Sequence, residues 1–142
     1  MDPHRMEALL RELLAGARAL HQAYVDYLPL LRPLLLREKL QPGVGESWKE
    51  IEALEGALQR RGMAPDRTLP SPREIPKKAG SHALLDLFFQ TEEWLYYRYR
   101  DGLKEIDERE EGPLRALLQS HLNDHKRRIS VIQYLYADFL YY

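Results

Sequence analysis

The chain has 142 residues, the length of one ordinary domain, and we expect residues 1–142 to form a single unit. Lys and Arg number 21 and Asp and Glu number 22, so the formal net charge of −1 argues against a strongly basic nucleic-acid-binding surface. There is no cysteine, which excludes disulfides, a cysteine nucleophile and thiolate-bound zinc or iron–sulfur clusters.

No targeting or membrane segment is expected. The N-terminal sequence MDPHRMEALLRELL is too charged and too regularly spaced for a signal peptide. No apolar run approaches the length of about 18 residues that a transmembrane helix requires. We therefore expect a cytoplasmic protein that binds neither nucleic acid nor membrane.

The beginning of the chain predicts a long helix followed by a bend. Apolar residues recur at helical spacing over residues 6–28, with Asp2 as the N-cap and Pro3 at the first helical position. Pro29 and Pro33 should kink or break the helix, because proline lacks an amide donor and its ring clashes with the preceding turn. The result is either a bent helix or a short further helical piece.

The next segment predicts a turn, a second helix and a long connection. Residues 41–45 (QPGVG) carry turn chemistry, and the helix starts at about Ser47 and ends at the C-terminal cap Gly62. Residues 63–81 are rich in proline and lack periodicity, so we expect a long irregular connection there. The buried stripe of this helix is expected to contain Trp48, Ile51, Leu54 and Leu58.

Two more helices complete the predicted fold. Ser81 is the expected N-cap of the third long helix, residues 107–112 form an acidic turn, and Pro113 opens the last helix. No segment shows the alternation of a strand. The predicted fold class is therefore all-α: a four-helix bundle with a long Pro-rich connection between its second and third helices, as in crossover bundles.

Polar side chains interrupt the inward seams of this bundle. A seam repeats about every 3.5 residues, which places Glu92 on the third helix and His121 and His125 on the fourth, while His21 borders the seam of the first. A buried carboxylate is costly unless it is paired or ligates a metal. Imidazole and carboxylate together suit iron, manganese or zinc, so these four side chains predict a metal site.

A purely structural polar network is the alternative interpretation. Glu92 can form a buried ion pair with His121 or His125 without any metal, and a small helix rotation would exchange it with Glu93. In either case we expect Glu92 to point into the bundle and to contact one of the two histidines. The basic cluster at residues 126–128 is expected to form a solvated face.

The C-terminal segment predicts a homodimer contact. Its aromatic side chains project in several directions, so one helix face of a monomer cannot bury them all. Tyrosine is enriched at interfaces because it combines apolar area with a polar tip. The cluster consists of Tyr134, Tyr136, Phe139, Tyr141 and Tyr142.

Three segments give the chain a resemblance to a known family. They are IEALEGALQRRGMAP at residues 51–65, LFFQTEEWLYYRYRDGL at residues 87–103 and PLRALLQSHLNDHKRRISVIQYL at residues 113–135. Together they resemble the small bacterial ferritin-like four-helix-bundle proteins. The resemblance covers nearly the whole chain at the level of pattern. It implies the ferritin-like fold, and many members of this group have no established activity.

The resemblance does not extend to the metal ligands of ferritin-like di-iron proteins, which place a Glu on each of two helices and Glu-x-x-His on each of the other two. Glu92 matches the single glutamate and His125 the histidine, but no Glu-x-x-His occurs and position 122 is Leu. The first helix offers only His21 or Asp26 in place of its glutamate. Ferroxidase activity is therefore not implied.

The spacing of His121 and His125 is also similar to that of the metal-binding DinB-like bundles, although their further histidine on the second helix is missing. Two hypotheses follow from the sequence. The first is a non-enzymatic ferritin-like bundle that acts as a binding or interaction protein. The alternative is an atypical metal-binding protein with an oxidoreductase activity. The pattern identifies no catalytic residue and no organic cofactor.

Overall fold

The computed structural model describes residues 1–64 and 80–139, and these residues form an all-α bundle without strands. The four long helices share one cluster of buried apolar side chains, which confirms the predicted four-helix bundle. None of the described helices is long and apolar enough to cross a membrane. The elements are α1 (Pro3–Tyr27), a 3₁₀ turn (Leu28–Leu30), α2 (Leu34–Leu40), α3 (Pro42–Arg60), α4 (Ser81–Leu103) and α5 (Gly112–Phe139).

The predicted ends of α1 are confirmed. Asp2 caps the helix, since its Oδ1 accepts a hydrogen bond from the His4 backbone N–H at 2.7 Å, and Pro3 is the first helical residue. At the other end the two prolines interrupt the helix. The chain passes through the 3₁₀ turn, which contains Pro29, and α2 begins directly after Pro33.

The predicted turn at residues 41–45 is wrong, because α3 begins at Pro42 and this segment forms its first turn. Proline is tolerated at the first helical position, where its missing N–H would have no partner. Gly43 is buried, and a Cβ at this position would lie 3.0 Å from the ring of Tyr24 on α1. The glycine is therefore explained by the close approach of two helices.

The predicted buried stripe of α3 is confirmed at Ile51, Leu54 and Leu58, which are at most 4% exposed, and is wrong only at Trp48. Trp48 is 52% exposed, whereas Ser47 and Glu50 are buried. The predicted cap at the far end is confirmed: Gly62 has φ +73°, and the Met63 N–H donates to the Leu58 carbonyl at 2.9 Å.

Ser81 does not cap α4 as predicted, since the N-cap position is occupied by Gly80. The Ser81 hydroxyl instead donates to the Arg32 carbonyl at 2.7 Å and accepts from the Arg32 N–H at 2.9 Å. The first residue of α4 is thereby tied to the segment that precedes α2.

The long helices α3 and α4 run in the same direction, each antiparallel to α5. Arg61, which follows α3, pairs with Glu111 just before α5 at 2.5 Å. Near the start of α4, Asp86 accepts a hydrogen bond from Tyr136 near the end of α5. The end of α3 and the start of α4 therefore lie at opposite ends of the bundle. The predicted Pro-rich connection at residues 63–81 falls mostly on residues 65–79, outside the described residues.

Candidate functional site

All four long helices contribute to a buried group of polar side chains, which we call the core polar cluster. Its members come from the inward faces of the helices and are at most 7% exposed. Because each helix supplies at least one member, the cluster depends on the whole bundle being assembled. The members are Tyr24 (α1), Glu50 (α3), Glu92 and Tyr99 (α4), and His121, His125 and Arg128 (α5).

His125 lies at the centre of the cluster and joins two carboxylates. Its Nδ1 lies 2.5 Å from Glu92 Oε1, and its Nε2 lies 2.8 Å from Glu50 Oε2. Both ring nitrogens thus face carboxylate oxygens, and the imidazole donates from both as an imidazolium. The predicted contact between Glu92 and one of the two histidines is confirmed.

Arg128 and Tyr24 complete the surroundings of Glu92. The Arg128 Nε donates to Glu92 Oε2 at 2.6 Å, and the Tyr24 hydroxyl donates to the same oxygen at 2.6 Å. Arg128 Nη2 lies 3.1 Å from His125 Nδ1. Neither of these nitrogens can accept when the imidazole is doubly protonated, so this is a contact between two cations that share Glu92 as counter-ion.

Tyr99 and His121 lie on the opposite side of the His125 ring. The Tyr99 hydroxyl donates to Glu50 Oε2 at 2.5 Å, and its oxygen lies 3.1 Å from His121 Nδ1. The hydroxyl of Tyr99 has a single proton, which it donates to Glu50. The hydrogen bond between the Tyr99 oxygen and His121 must therefore be donated by His121 Nδ1–H. The Tyr99 ring also stacks on His125, with centroids 5.4 Å apart.

Glu46 on α3 forms the outer edge of the cluster next to Arg128. One of its oxygens pairs with the exposed residue Arg127, while its Oε1 lies 3.7 Å from Arg128 Nη1. Glu46 Oε1 and Arg128 Nη1 are both buried and have no hydrogen-bond partner. Among the fully buried side-chain atoms of the described cluster, these two are the ones without a hydrogen-bond partner.

The charges of the core polar cluster balance. Burial alone would raise the pKa of Glu50 and of Glu92, but His125 outweighs it at Glu50, and His125 with Arg128 outweighs it at Glu92, so both pKa values are lowered. Burial would lower the pKa of His125, but the two carboxylates raise it to about 9. Two anions thus face two cations, His125 and Arg128, whose guanidinium is always protonated.

The remaining members of the cluster are neutral. Burial, reinforced by the adjacent carboxylates Glu92 and Glu50, raises the pKa values of Tyr24 and Tyr99 well above the ordinary value for tyrosine. Burial also lowers the pKa of His121, although Glu50 opposes this effect. The cluster therefore contains a neutral histidine and a charged histidine one helical turn apart.

The structure brings three of the four predicted site residues together and leaves the fourth apart. Glu92, His121 and His125 belong to the core polar cluster. His21 instead faces α3, where its Nδ1 lies 3.0 Å from the Ser47 hydroxyl and 3.1 Å from the Val44 carbonyl. Its ring packs against Trp48, with centroids 5.4 Å apart. On α1, the inward polar position is taken by Tyr24.

Sequence reasoning missed two charged members of the cluster. The apolar stripe of α3 does not reveal Glu50, which lies next to the buried Ile51 and faces inward because Tyr99 and His125 bond its carboxylate. Arg128 was assigned to a solvated face, which is wrong, since it is only 4% exposed. The heptad spacing of α5 indicates that Arg128 faces inward, because the row of buried positions that includes His121 and His125 passes through Arg128 and not through Ile129. That row is Leu118, His121, His125, Arg128, Ile132 and Leu135.

Comparison with known proteins identifies the fold. No protein-family model and no curated protein matches the chain. Among solved structures, the chain is similar to a protein described as a ferritin-like, diiron-carboxylate protein from Bacillus anthracis strain Ames. The TM-score is 0.81 at 16% sequence identity, over 95% of this chain and 99% of that one. The chain therefore has the ferritin-like four-helix-bundle fold.

The residues of this core do not fit a di-iron centre. Within residues 1–64 and 80–139, no three Asp, Glu, His or Cys side chains are arranged to hold a metal ion. The geometry explains this, because His125 directs its two nitrogens at carboxylates on opposite sides of its ring. In addition, the guanidinium of Arg128 already supplies a permanent positive charge to Glu92. A di-iron site instead needs carboxylates that converge on the metal ions.

Replacing Glu92 should show how strongly the charges of the cluster depend on one another. Glu92→Leu removes the hydrogen-bonded counter-ion of the buried Arg128, leaves it only the more distant Glu46 carboxylate, and should lower the free energy of unfolding by about 3–5 kcal/mol. The double variant Glu92→Leu/Arg128→Met keeps the balanced Glu50–His125 pair and should be more stable than Glu92→Leu alone. Urea unfolding of both variants, with the half-buried neighbour Glu93→Leu as control, measures this difference. Strictly additive losses would contradict the charge-balance argument.

The stability of the protein should fall at alkaline pH. The pKa of His125 rises from 6.5 to about 9 on folding. The protonated His125 therefore contributes fully to the free energy of unfolding below about pH 6.5, and this contribution is lost as the pH rises through 9. The loss should reach about 3 kcal/mol. The pKa values of Glu50, Glu92 and His121 are lowered on folding, so these three groups instead make the protein less stable as the pH falls. Urea unfolding between about pH 6.5 and pH 9 should show the decline in the wild type and little of it in His125→Gln.

Proposed function

We propose that this chain is a non-enzymatic ferritin-like bundle that acts as a binding or interaction protein. The observation that carries the proposal is the Arg128–Glu92 pair at the centre of the bundle, with Nε and Oε2 2.6 Å apart. The pair, together with Glu50 and His125, makes the core electrically neutral without a metal. A neutral hydrogen-bonded core of this kind stabilises a scaffold, and any function then belongs to the surface.

The surface offers apolar area that suits a binding role. The segment around the 3₁₀ turn and the start of α2 exposes Val25 (45%), Leu30 (53%), Leu34 (56%) and Leu35 (40%). Elsewhere the aromatic residues Trp48, Trp94, Tyr97 and Tyr134 are exposed by 44–59%. Aromatic side chains are enriched in the parts of interfaces that contribute most to affinity.

An atypical metal-binding protein with an oxidoreductase activity is the second candidate. It is favoured by the similarity to a protein described as diiron-carboxylate, and by the meeting of two glutamates and two histidines in one core. In this candidate the metal is iron, manganese or zinc, and Glu92, His121 and His125 would have to rearrange away from their present partners to bind it.

Metal analysis of the protein purified without a His tag separates the two candidates. For the proposed non-enzymatic bundle we expect no stoichiometric iron, manganese or zinc, because Arg128 and His125 already neutralise both buried carboxylates. The double variant His121→Ala/His125→Ala provides the control. Stoichiometric metal in the wild type that disappears in this variant would establish the metal-binding candidate instead.

We also propose that the chain forms a homodimer through its C-terminal aromatic segment, residues 134–142. Tyr134 is 59% exposed, in keeping with a contact to a second copy. Tyr136 instead packs within its own chain: its hydroxyl bonds to Asp86 and its ring lies against Phe89, with centroids 6.2 Å apart. A two-fold axis would cover this surface with a second copy of itself.

Truncation after Ala137 tests the homodimer. It removes the last aromatic residues but keeps Tyr136 and its intrachain contacts, so we expect the helical circular dichroism signal to remain while light scattering shifts from dimer to monomer. Trp94→Ala, which removes an exposed aromatic residue from α4, should remain dimeric. The proposal is wrong if the full-length protein is already monomeric at high micromolar concentration.

A further inference from the structure

The groove between α3 and α5 is filled at one end of the bundle and open at the other. At the end where α3 begins, the short helix α2 contacts both α3 and α5, and its Leu36 and Leu40 are buried in the core. At the other end, where α3 ends and α5 begins, a cleft of about 690 Å³ opens between the two helices. We call it the α3–α5 cleft. The same groove thus holds a leucine-rich helix at one end and a cleft at the other.

The α3–α5 cleft combines an apolar lining with one cation and one anion that are left over. Its apolar lining includes Ala57 of α3 and Leu114 and Leu117 of α5. Arg60 on α3 and Glu110 before α5 also line it and are exposed, and neither forms an ion pair with another described residue. The other two charges of the lining pair with each other. The cleft therefore suits a partner that presents apolar side chains together with an anion and a cation.

The outward face of α2 presents this same combination. Leu34 is 56% exposed and Leu35 is 40% exposed. Glu38 and Lys39 follow these two leucines by four residues each, so each charge lies one helical turn from an exposed leucine. Both charges are exposed, and neither is in an ion pair within the part of the chain that the structure describes. Helix α2 thus offers the apolar side chains, the anion and the cation that the cleft suits.

We propose that α2 of a second copy docks in the α3–α5 cleft, and that α2 of the first copy docks in the cleft of the second. The exposed leucines of α2 then contact the apolar lining of the cleft, Glu38 faces Arg60, and Lys39 faces Glu110. This inference rests on the proposed homodimer and names the surface that receives the second copy.

One two-fold axis forms both contacts. Helix α2 and the cleft lie at opposite ends of one groove, so two antiparallel bundles placed side by side bring each α2 next to the cleft of the other copy. The axis passes between the two ends, near the partly exposed ion pair of Arg127 with Glu46. Tyr134 follows Arg127 by seven residues and therefore lies on the same side of α5. The C-terminal segment thus remains part of the contact.

Reversing one charge of the Glu38–Arg60 pair should weaken the dimer. We expect Glu38→Arg and Arg60→Glu each to raise the dimer dissociation constant at least about tenfold, because each variant places like charges together at both symmetric contacts. Both residues are exposed, so both variants should keep the helical circular dichroism signal. Light scattering over a dilution series measures the dissociation constant. Arg100→Glu reverses an exposed charge on α4, away from the groove, and should dimerise like the wild type.

Mixing the two charge-reversed variants tests whether the pair joins different copies. In a mixed dimer of Glu38→Arg with Arg60→Glu, each of the two contacts again joins one anion with one cation. The one-to-one mixture should therefore dimerise about as tightly as the wild type. A contact within one chain cannot give this result, because the 19-residue helix α3, about 28 Å long, separates Glu38 from Arg60. Leu34→Glu, which places a charge in the apolar part of the contact, should also weaken the dimer, whereas Trp94→Glu on α4 should not.

The inference is overturned if the full-length protein is a dimer and any one of Glu38→Arg, Arg60→Glu and Leu34→Glu leaves its dissociation constant unchanged. It is also overturned if the mixture of the two charge-reversed variants does not recover the affinity. In these cases the homodimer stands and another surface holds it together. A full-length protein that is monomeric at high micromolar concentration overturns the homodimer and this inference together. The oligomeric state of the wild type and its response to the variants thus distinguish the two failures.

Discussion

The burial of two carboxylates in a leucine-rich bundle is the constraint on which the rest of this structure depends. Glu50 and Glu92 come from different helices and are almost completely shielded from water. Each would be strongly destabilising without a cation, and both cations, His125 and Arg128, come from α5. Helix α5 must therefore dock against α3 and α4 in one register, because a displacement by one turn would leave four charges unpaired. The apolar core supplies most of the favourable free energy, while the charges favour one arrangement of the helices.

The imidazolium of His125 divides the cluster into two chemically different halves. On its Nε2 side, Glu50 is held by Tyr99, which is in turn bonded to a neutral His121. On its Nδ1 side, Glu92 pairs with the guanidinium of Arg128, whose Nη1 and the neighbouring Glu46 Oε1 are buried without a hydrogen-bond partner. The first half is closed by hydrogen bonds between neutral and charged groups. The second half is dominated by the charges of Glu92, His125 and Arg128.

The ferritin-like fold does not by itself decide whether a metal is bound. The backbone of this chain resembles that of a protein described as diiron-carboxylate over nearly its full length, at 16% identity. In a four-helix bundle the inward positions are available to any side chain whose charge is balanced. One arginine at such a position can supply the positive charge that a metal ion would supply. The chemistry of the core therefore depends on a few side chains, whereas its architecture depends on the apolar stripes.

The sequence by itself determined the all-α class, the four long helices, the break at Pro29 and Pro33, the glycine cap at Gly62 and the inward position of Glu92. Each of these follows from local chemistry: helical periodicity, the missing amide of proline, the tolerance of glycine for positive φ, and seam spacing. The tertiary structure alone decided the other features. It made residues 42–45 the first turn of α3, with Gly43 packed closely against Tyr24, and it buried Arg128, because Glu92 of another helix compensates its charge. A change of one residue in the phase of a stripe rotates a helix by about 100°, and whether a charged residue faces inward depends on a partner that its own helix does not contain.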